Sequence, residues 1–269
     1  MRKIIQIGLI LAGIGMASYP WISNSLYEKE AGSRIQVYEK KSRELPKKNY
    51  QNLMREARDY NANLAKADVI LTDPFSSEQS KKNTGKDYRE SEVMAYVDIP
   101  GIRIYLPVYH GTDGEVLEKG IGHLGATSVP VGGKGTHAVL TGHTGLDKAK
   151  LFTDLEEVRK KDQFYIHVLG KILAYEVDDI SVVRPDDTKK LYVQGEQDLV
   201  TLLTCTPYGV NSHRLLVRGH RVSYRKEAYR EEKHKKRKTR WQKEYRETLL
   251  IAASMVVCVG ILKRKWTSE

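Results

Sequence analysis

Two cysteines occur in the chain of 269 residues, and they stand in very different company. Cys205 closes an apolar, β-branched run, Leu199 to Thr204, that reads as a buried strand. Pro207 and Gly209 break that strand, and Arg214 opens the next apolar run, Arg214-Leu215-Leu216-Val217. A thiol at a strand end, with a guanidinium brought by the neighbouring strand, suits nucleophilic chemistry, because the thiolate is the reactive form and a nearby cation favours it. The plain alternative is a small buried cysteine filling a gap in the core. Cys258 lies inside a C-terminal apolar run, so Cys205 has no disulfide partner within its own domain.

An acyl-transfer site of this kind needs a proton carrier, and there are eight histidines to sort. His143 follows the β-like run His137 to Thr141 and sits between Gly142 and Gly145, where the backbone can bend around a ligand. His213 adjoins Arg214 and points to the opposite face of an extended chain, which is a structural placement. His123 and His220 are weaker reserves. Neither the histidines nor the cysteines show paired ligand spacing, so no metal site is expected.

The elements that must carry these residues are short strands. From Ser91 onward, strands are expected at Val93 to Ile99 and Ile102 to Tyr109, around the turn Pro100-Gly101. Others are expected at His137 to Thr141, Leu199 to Thr204 and Arg214 to Ser223. Phe164 to Leu169 and Ile172 to Val183 read as a hairpin about Gly170-Lys171. Asp113 to Lys119 and Lys148 to Lys160 read as short helices. Many short strands and few helices predict a mainly β fold, a barrel or sandwich. Upstream, Leu26 to Leu71 reads as two helices divided near Pro46, with sparse apolar faces that suit packing on the surface of a larger domain.

The string Thr201-Leu202-Leu203-Thr204-Cys205, with Arg214 in the following strand, resembles the active-site signature of sortases, the cysteine transpeptidases of Gram-positive cell surfaces. The longer string from Thr204 through Pro207-Tyr208-Gly209 to Arg214 and Arg221 is similar to the class C, pilin-polymerising branch. Thr141-Gly142-His143 matches the histidine motif of that family. The resemblance implies a closed sortase-type β-barrel with N-terminal helices, and Cys205, His143 and Arg214 as catalytic residues. It also assigns a role to Asp73-Pro74-Phe75, which otherwise reads as the start of a solvated connector. Class C sortases carry an Asp-Pro-aromatic lid. Carried over, Asp73 pairs with Arg214 and Phe75 covers Cys205. The implied reaction cleaves an LPxTG-like sorting signal after Thr through a thioester and joins it to a pilin lysine amine, with no cofactor. Sorting-signal proteins, a pilin lysine and the lipid bilayer are the implied partners.

The net charge of +11 raises a nucleic-acid reading. Its location argues against one. Ser223 to Glu247 holds eleven Lys and Arg against five Glu, both termini add more, and Ile4 to Val222 is nearly neutral. Basic ends beside apolar runs point to a membrane surface. Ile4 to Ile22 is either a cleaved signal peptide or an uncleaved anchor, and its length favours the anchor. Thr248 to Leu262 with Lys263-Arg264-Lys265 reads as a second membrane segment, though Lys233 to Arg240 then sits on the wrong side for positive-inside counting.

The expected organisation is an anchor or signal at 1–22, N-terminal helices at 23–70, a lid loop at 71–90 and a catalytic barrel at 91–222. A basic connector, helical or flexible, follows at 223–247, then a C-terminal membrane segment and tail at 248–269. The catalytic domain is expected on the extracellular face of the membrane. An L,D-transpeptidase would place its histidine close before the cysteine, and a papain-like hydrolase reverses the order seen here. A wall-anchored surface protein would show a sorting signal before Thr248, where Trp241 to Glu247 has none.

Overall fold

In the computed structural model, residues 2–76, 92–146, 148–234 and the positions 246, 247, 249–251, 253, 254 and 256 are described. Eight strands close a barrel in the order β1-β2-β3-β4-β7-β8-β6-β5. They are β1 (Ala95–Ile99), β2 (Ile104–His110), β3 (Ile121–His123) and β4 (Thr136–Thr141), then β5 (Gln163–Val168), β6 (Lys171–Val183), β7 (Asp198–Thr206) and β8 (His213–Val222). The expected mainly β fold is therefore a closed barrel. Closure leaves no unpaired edge.

Strands β4 and β7 run parallel, while β7 and β8 are antiparallel. Alternation along them separates two apolar layers. Ala138, Leu140, Val200, Leu202, Leu215 and Val217 belong to the barrel core with Phe152, Phe164 and Tyr175. Val139, Leu203 and Leu216 face the other way, into a second cluster with Leu71, Leu124 and Leu191. That outer cluster also takes Val69 and Phe75, so the segment before the barrel is packed onto the outside of β4, β7 and β8.

Helix α1 (Arg2–Glu44) is continuous through Pro20, and α2 (Lys47–Leu64) starts just past Pro46, where the sequence divides the two. Proline suits a helix entrance, since its missing N–H is unpaired there anyway. Asn61 of α2 is buried and exchanges two hydrogen bonds with the backbone of Val129. Tyr38 of α1 donates to the carbonyl of Met94 and accepts from Leu169 N–H. Asp113 caps α3 (Gly114–Lys119) by accepting from Val116 N–H at 3.0 Å.

Two expectations change. The sequence reading has no strand at Ile121 to His123, which pairs in parallel with β2 and so has no hairpin turn to announce it. Lys148 to Lys160 does not form helices of its own. It holds only a 3₁₀ turn, Thr153–Glu157, because Leu151 has φ +41° and Phe152 donates its N–H back to His143 instead of to a helical partner. Of the two readings of the basic connector, helical or flexible, Lys226–His234 takes the helical one as α4, docked on β1: Tyr229 donates to Asp98 at 2.5 Å and Lys233 lies 3.2 Å from the same carboxylate.

Among the described residues no helix is long and apolar enough to cross a membrane. The lid-loop positions from 77 onward, connector positions 235–245 and most of the C-terminal segment lie outside the described residues.

Candidate active site

The ends of β4, β7 and β8 bring the three chemically capable residues into one row. Cys205 and Arg214 are a direct cross-strand pair. The parallel register of β4 and β7 ends at Thr141 paired with Leu203, two residues before His143 and Cys205. The last ties of that ladder run from Gly142 N–H to the Leu203 carbonyl and from Thr204 Oγ to the Gly142 carbonyl, at 3.0 and 2.7 Å. By strand alternation Cys205 and Arg214 share the outer face with Leu203 and Leu216, and His143 meets the same face through the ring of Phe75, which packs on that outer cluster. Gly142 is required here. A Cβ on it would stand 2.6 Å from Ile121 and 2.8 Å from the Phe152 ring.

Asp73 and Phe75 lie across this row. Asp73 accepts a bidentate pair of hydrogen bonds from Arg214, at 2.8 Å to Nε and 2.7 Å to Nη2. Both side chains are nearly buried, 10% exposed for Arg214 and 12% for Asp73. Such a fork is among the stronger polar contacts a side chain can make. The remaining guanidinium nitrogen donates to the carbonyls of Asn211 and His213. The Phe75 ring packs against His143, centroids 5.4 Å apart, and lies 5.1 Å from the Arg214 guanidinium. Pro74 is buried, and Ser76 closes a turn by donating twice to the Asp73 carbonyl. The stem of this segment is fixed by Leu71 in the outer cluster and by its N–H donating to the Tyr192 hydroxyl.

The electrostatics follow from this cover. Cys205 is only 7% exposed. Burial pushes its thiol up to about 11; Arg214 opposes the rise, and Asp73 adds to it. Burial also holds the His143 imidazole below the ordinary histidine range, with Glu118 pulling weakly the other way. At neutral pH the pair is thiol and neutral imidazole. It holds one transferable proton and no net charge.

The other histidines have structural surroundings. His123 is fully buried, bonded to the Ser128 carbonyl and facing His110. His213 is exposed beside Ser212, and His220 sits near Asp178. No group of three or more metal-binding side chains occurs among the described residues. The sequence reading missed Glu156, which accepts a hydrogen bond from Thr206 at 2.6 Å. The two are separated by fifty positions, and no local signal links them.

The family model of the sortase domain matches residues 97–222. Among curated proteins the chain is similar to Sortase D of Bacillus subtilis, 29% identical over 151 residues, 55% of this chain and 73% of that protein. It is also similar to Sortase A of Staphylococcus aureus, 26% identical over 211 residues, 77% of this chain and 87% of that protein. Among solved structures it resembles sortase C-1 of Streptococcus pneumoniae, with 43% identity and a TM-score of 0.67 over 72% of this chain and 100% of that one. Sortase C-1 of Actinomyces oris is 47% identical, with a TM-score of 0.61 over 66% of this chain and 99% of that one.

Proposed function

The chain belongs to the sortase family, and from that premise we propose that it is a class C transpeptidase acting on LPxTG-like sorting signals, with Cys205 as nucleophile, His143 as proton carrier and Arg214 as oxyanion donor. The observation that carries the reading is the single row of these side chains at the ends of β4, β7 and β8, with Asp73 and Phe75 across it.

In the proposed reaction the sorting signal displaces the lid segment. Its apolar residues take the outer floor of Val139, Leu203 and Leu216 that Leu71 and Phe75 now cover. The Cys205 proton passes to His143, and the thiolate attacks the threonine carbonyl. The oxyanion takes the Arg214 donors that Asp73 occupies at rest. Collapse breaks the Thr–Gly bond, and His143 gives its proton to the departing glycine amine. A lysine amine of a pilin then attacks the thioester, His143 accepts its proton, and the new amide leaves with Cys205 restored. Water competes for the thioester, so a cover over the thiol serves the chemistry as well as the resting state. Membrane attachment through the 1–22 and 248–269 segments, with the barrel on the extracellular face, belongs to the same proposal.

The full-length protein in detergent, given a sorting-signal peptide and hydroxylamine, is expected to release the glycine-side fragment and form the hydroxamate of the threonine-side fragment. An intact peptide would refute the activity. The lid gives a second test. Asp73→Ala with Phe75→Ala removes both the cover and the carboxylate that raise the thiol. Because reagents attack the thiolate, modification of Cys205 at pH 8 is expected to accelerate about tenfold or more, with the midpoint of its pH profile moving down from about 11. An unchanged rate would mean that this segment does not shield the sulfur.

A further inference from the structure

Resting on the reaction proposed above, we infer that Glu156 is a positioning residue: by holding Thr206 it fixes the distance between Cys205 and His143. The β4–β7 ladder ends at Thr141 and Leu203, short of both reacting side chains. Past Gly142 the chain leaves the sheet, so sheet pairing alone does not fix the imidazole. It returns in the 3₁₀ turn Thr153–Glu157, and that turn grips both partners. At its entrance Phe152 N–H donates to the carbonyl of His143 itself, at 3.0 Å, and Thr153 Oγ accepts from Gly145 N–H at 3.1 Å. Near its exit Glu156 accepts from the hydroxyl of Thr206, the residue directly after Cys205, at 2.6 Å.

The turn is a firm support for such a clamp. Phe152 and Leu155 are fully buried in the barrel core, and Val158 just beyond is nearly so. Successive backbone bonds from Thr153 to Lys150, from Leu155 to Phe152 and from Val158 to Leu155 stiffen it. Glu156 therefore projects from a backbone anchored on either side, while Thr206 is 7% exposed. A charged acceptor makes the bond shorter and stronger than a neutral one would. Contacts thus run in a circuit from His143 through the turn to Thr206 and back to Cys205. The bond from Thr206 to Glu156 bears on Cys205 through the chain, since the two residues are adjacent.

The test uses the full-length protein with a sorting-signal peptide and hydroxylamine. Glu156→Ala and Thr206→Val are each expected to lower kcat about tenfold with KM changed less than about twofold, since misplacement of a reacting pair is felt in the transition state. The double variant should be no worse than either single one, because both remove the same bond. Glu156→Gln should stay within about twofold of wild type, its amide oxygen accepting the same hydroxyl. Wild-type kcat in Glu156→Ala, additive losses, or Glu156→Gln as impaired as Glu156→Ala would each overturn the inference. Amide exchange at Gly145 and Phe152 reads the clamp without turnover. It should rise about tenfold in Glu156→Ala and stay unchanged in Glu156→Gln; equal rates in all three proteins would overturn it. If wild type left the peptide intact, the proposed reaction would fall, and the exchange comparison would still decide the clamp.

Discussion

Cys205→Ala is expected to lower peptide transfer by about 10⁴-fold or more, because the covalent step has no other nucleophile in the row. The barrel should survive. The strand carrying Cys205 is held by its ladders to β4 and β8 and by Leu202 in the core, none of which uses the sulfur. Removing one buried sulfur costs about 1 kcal/mol by the usual cavity arithmetic. Transfer assays and thermal melts on the same preparation check both halves. Retained transfer would remove Cys205 from the mechanism. Loss of the fold would make it a packing residue, which is the plain alternative for a buried cysteine.

Arg214→Ala is expected to act in two opposite directions. Transfer should fall about 10²–10³-fold, the usual cost of losing an oxyanion donor. Thiol modification should nevertheless speed up. Asp73 would lose both of its hydrogen bonds to Arg214 while nearly buried, and an unpaired buried carboxylate costs about 3–5 kcal/mol. The lid segment then has reason to leave. The sign for the thiol follows from what surrounds it. Burial raises it most, Arg214 lowers it, and Asp73 raises it further. Losing Arg214 takes away the one favourable charge, but departure of the lid exposes the sulfur to water and carries Asp73 away, and both changes favour the thiolate. Slower transfer with faster modification would separate this variant from Cys205→Ala and from a misfolded protein. If modification slowed instead, direct attraction between Arg214 and the thiolate would outweigh the cover.

Much of this site can be read from local sequence. The run ending at Cys205, the break at Pro207 to Gly209 and the restart at Arg214 describe two neighbouring strands, and antiparallel pairing then makes Cys205 and Arg214 opposite partners. Flanking glycines mark His143. What local sequence does not carry is pairing at long range. The parallel contact of β4 with β7 brings the strand that leads to His143 alongside the strand of Cys205, and parallel neighbours have no turn between them to reveal register. Strand β3 pairs in parallel with β2 and, across the long connection 124–135, antiparallel with β4, so no tight turn announces it, and at three residues it is too short for a period to appear. The segment after His143 misleads because Lys148 to Lys160 contains good helix formers, yet the Phe152 N–H and the Thr153 hydroxyl are used to hold the histidine loop. The docking of α4 is what its run of charge conceals, since the residues that make it, Tyr229 and Lys233, are ordinary members of a basic stretch until Asp98 is placed beneath them.

The central claim is that the acyl group passes through a thioester on one sulfur. Intact-protein mass spectrometry tests it most directly: the lid-opened Asp73→Ala, Phe75→Ala protein is incubated with a sorting-signal peptide, without any amine, and quenched in acid. The expected result is a mass gain equal to the threonine-side fragment, located on Cys205 by proteolytic mapping and removed by hydroxylamine. Release of the glycine-side fragment with no adduct on Cys205 at any time, or an adduct mapped to another residue, would contradict it.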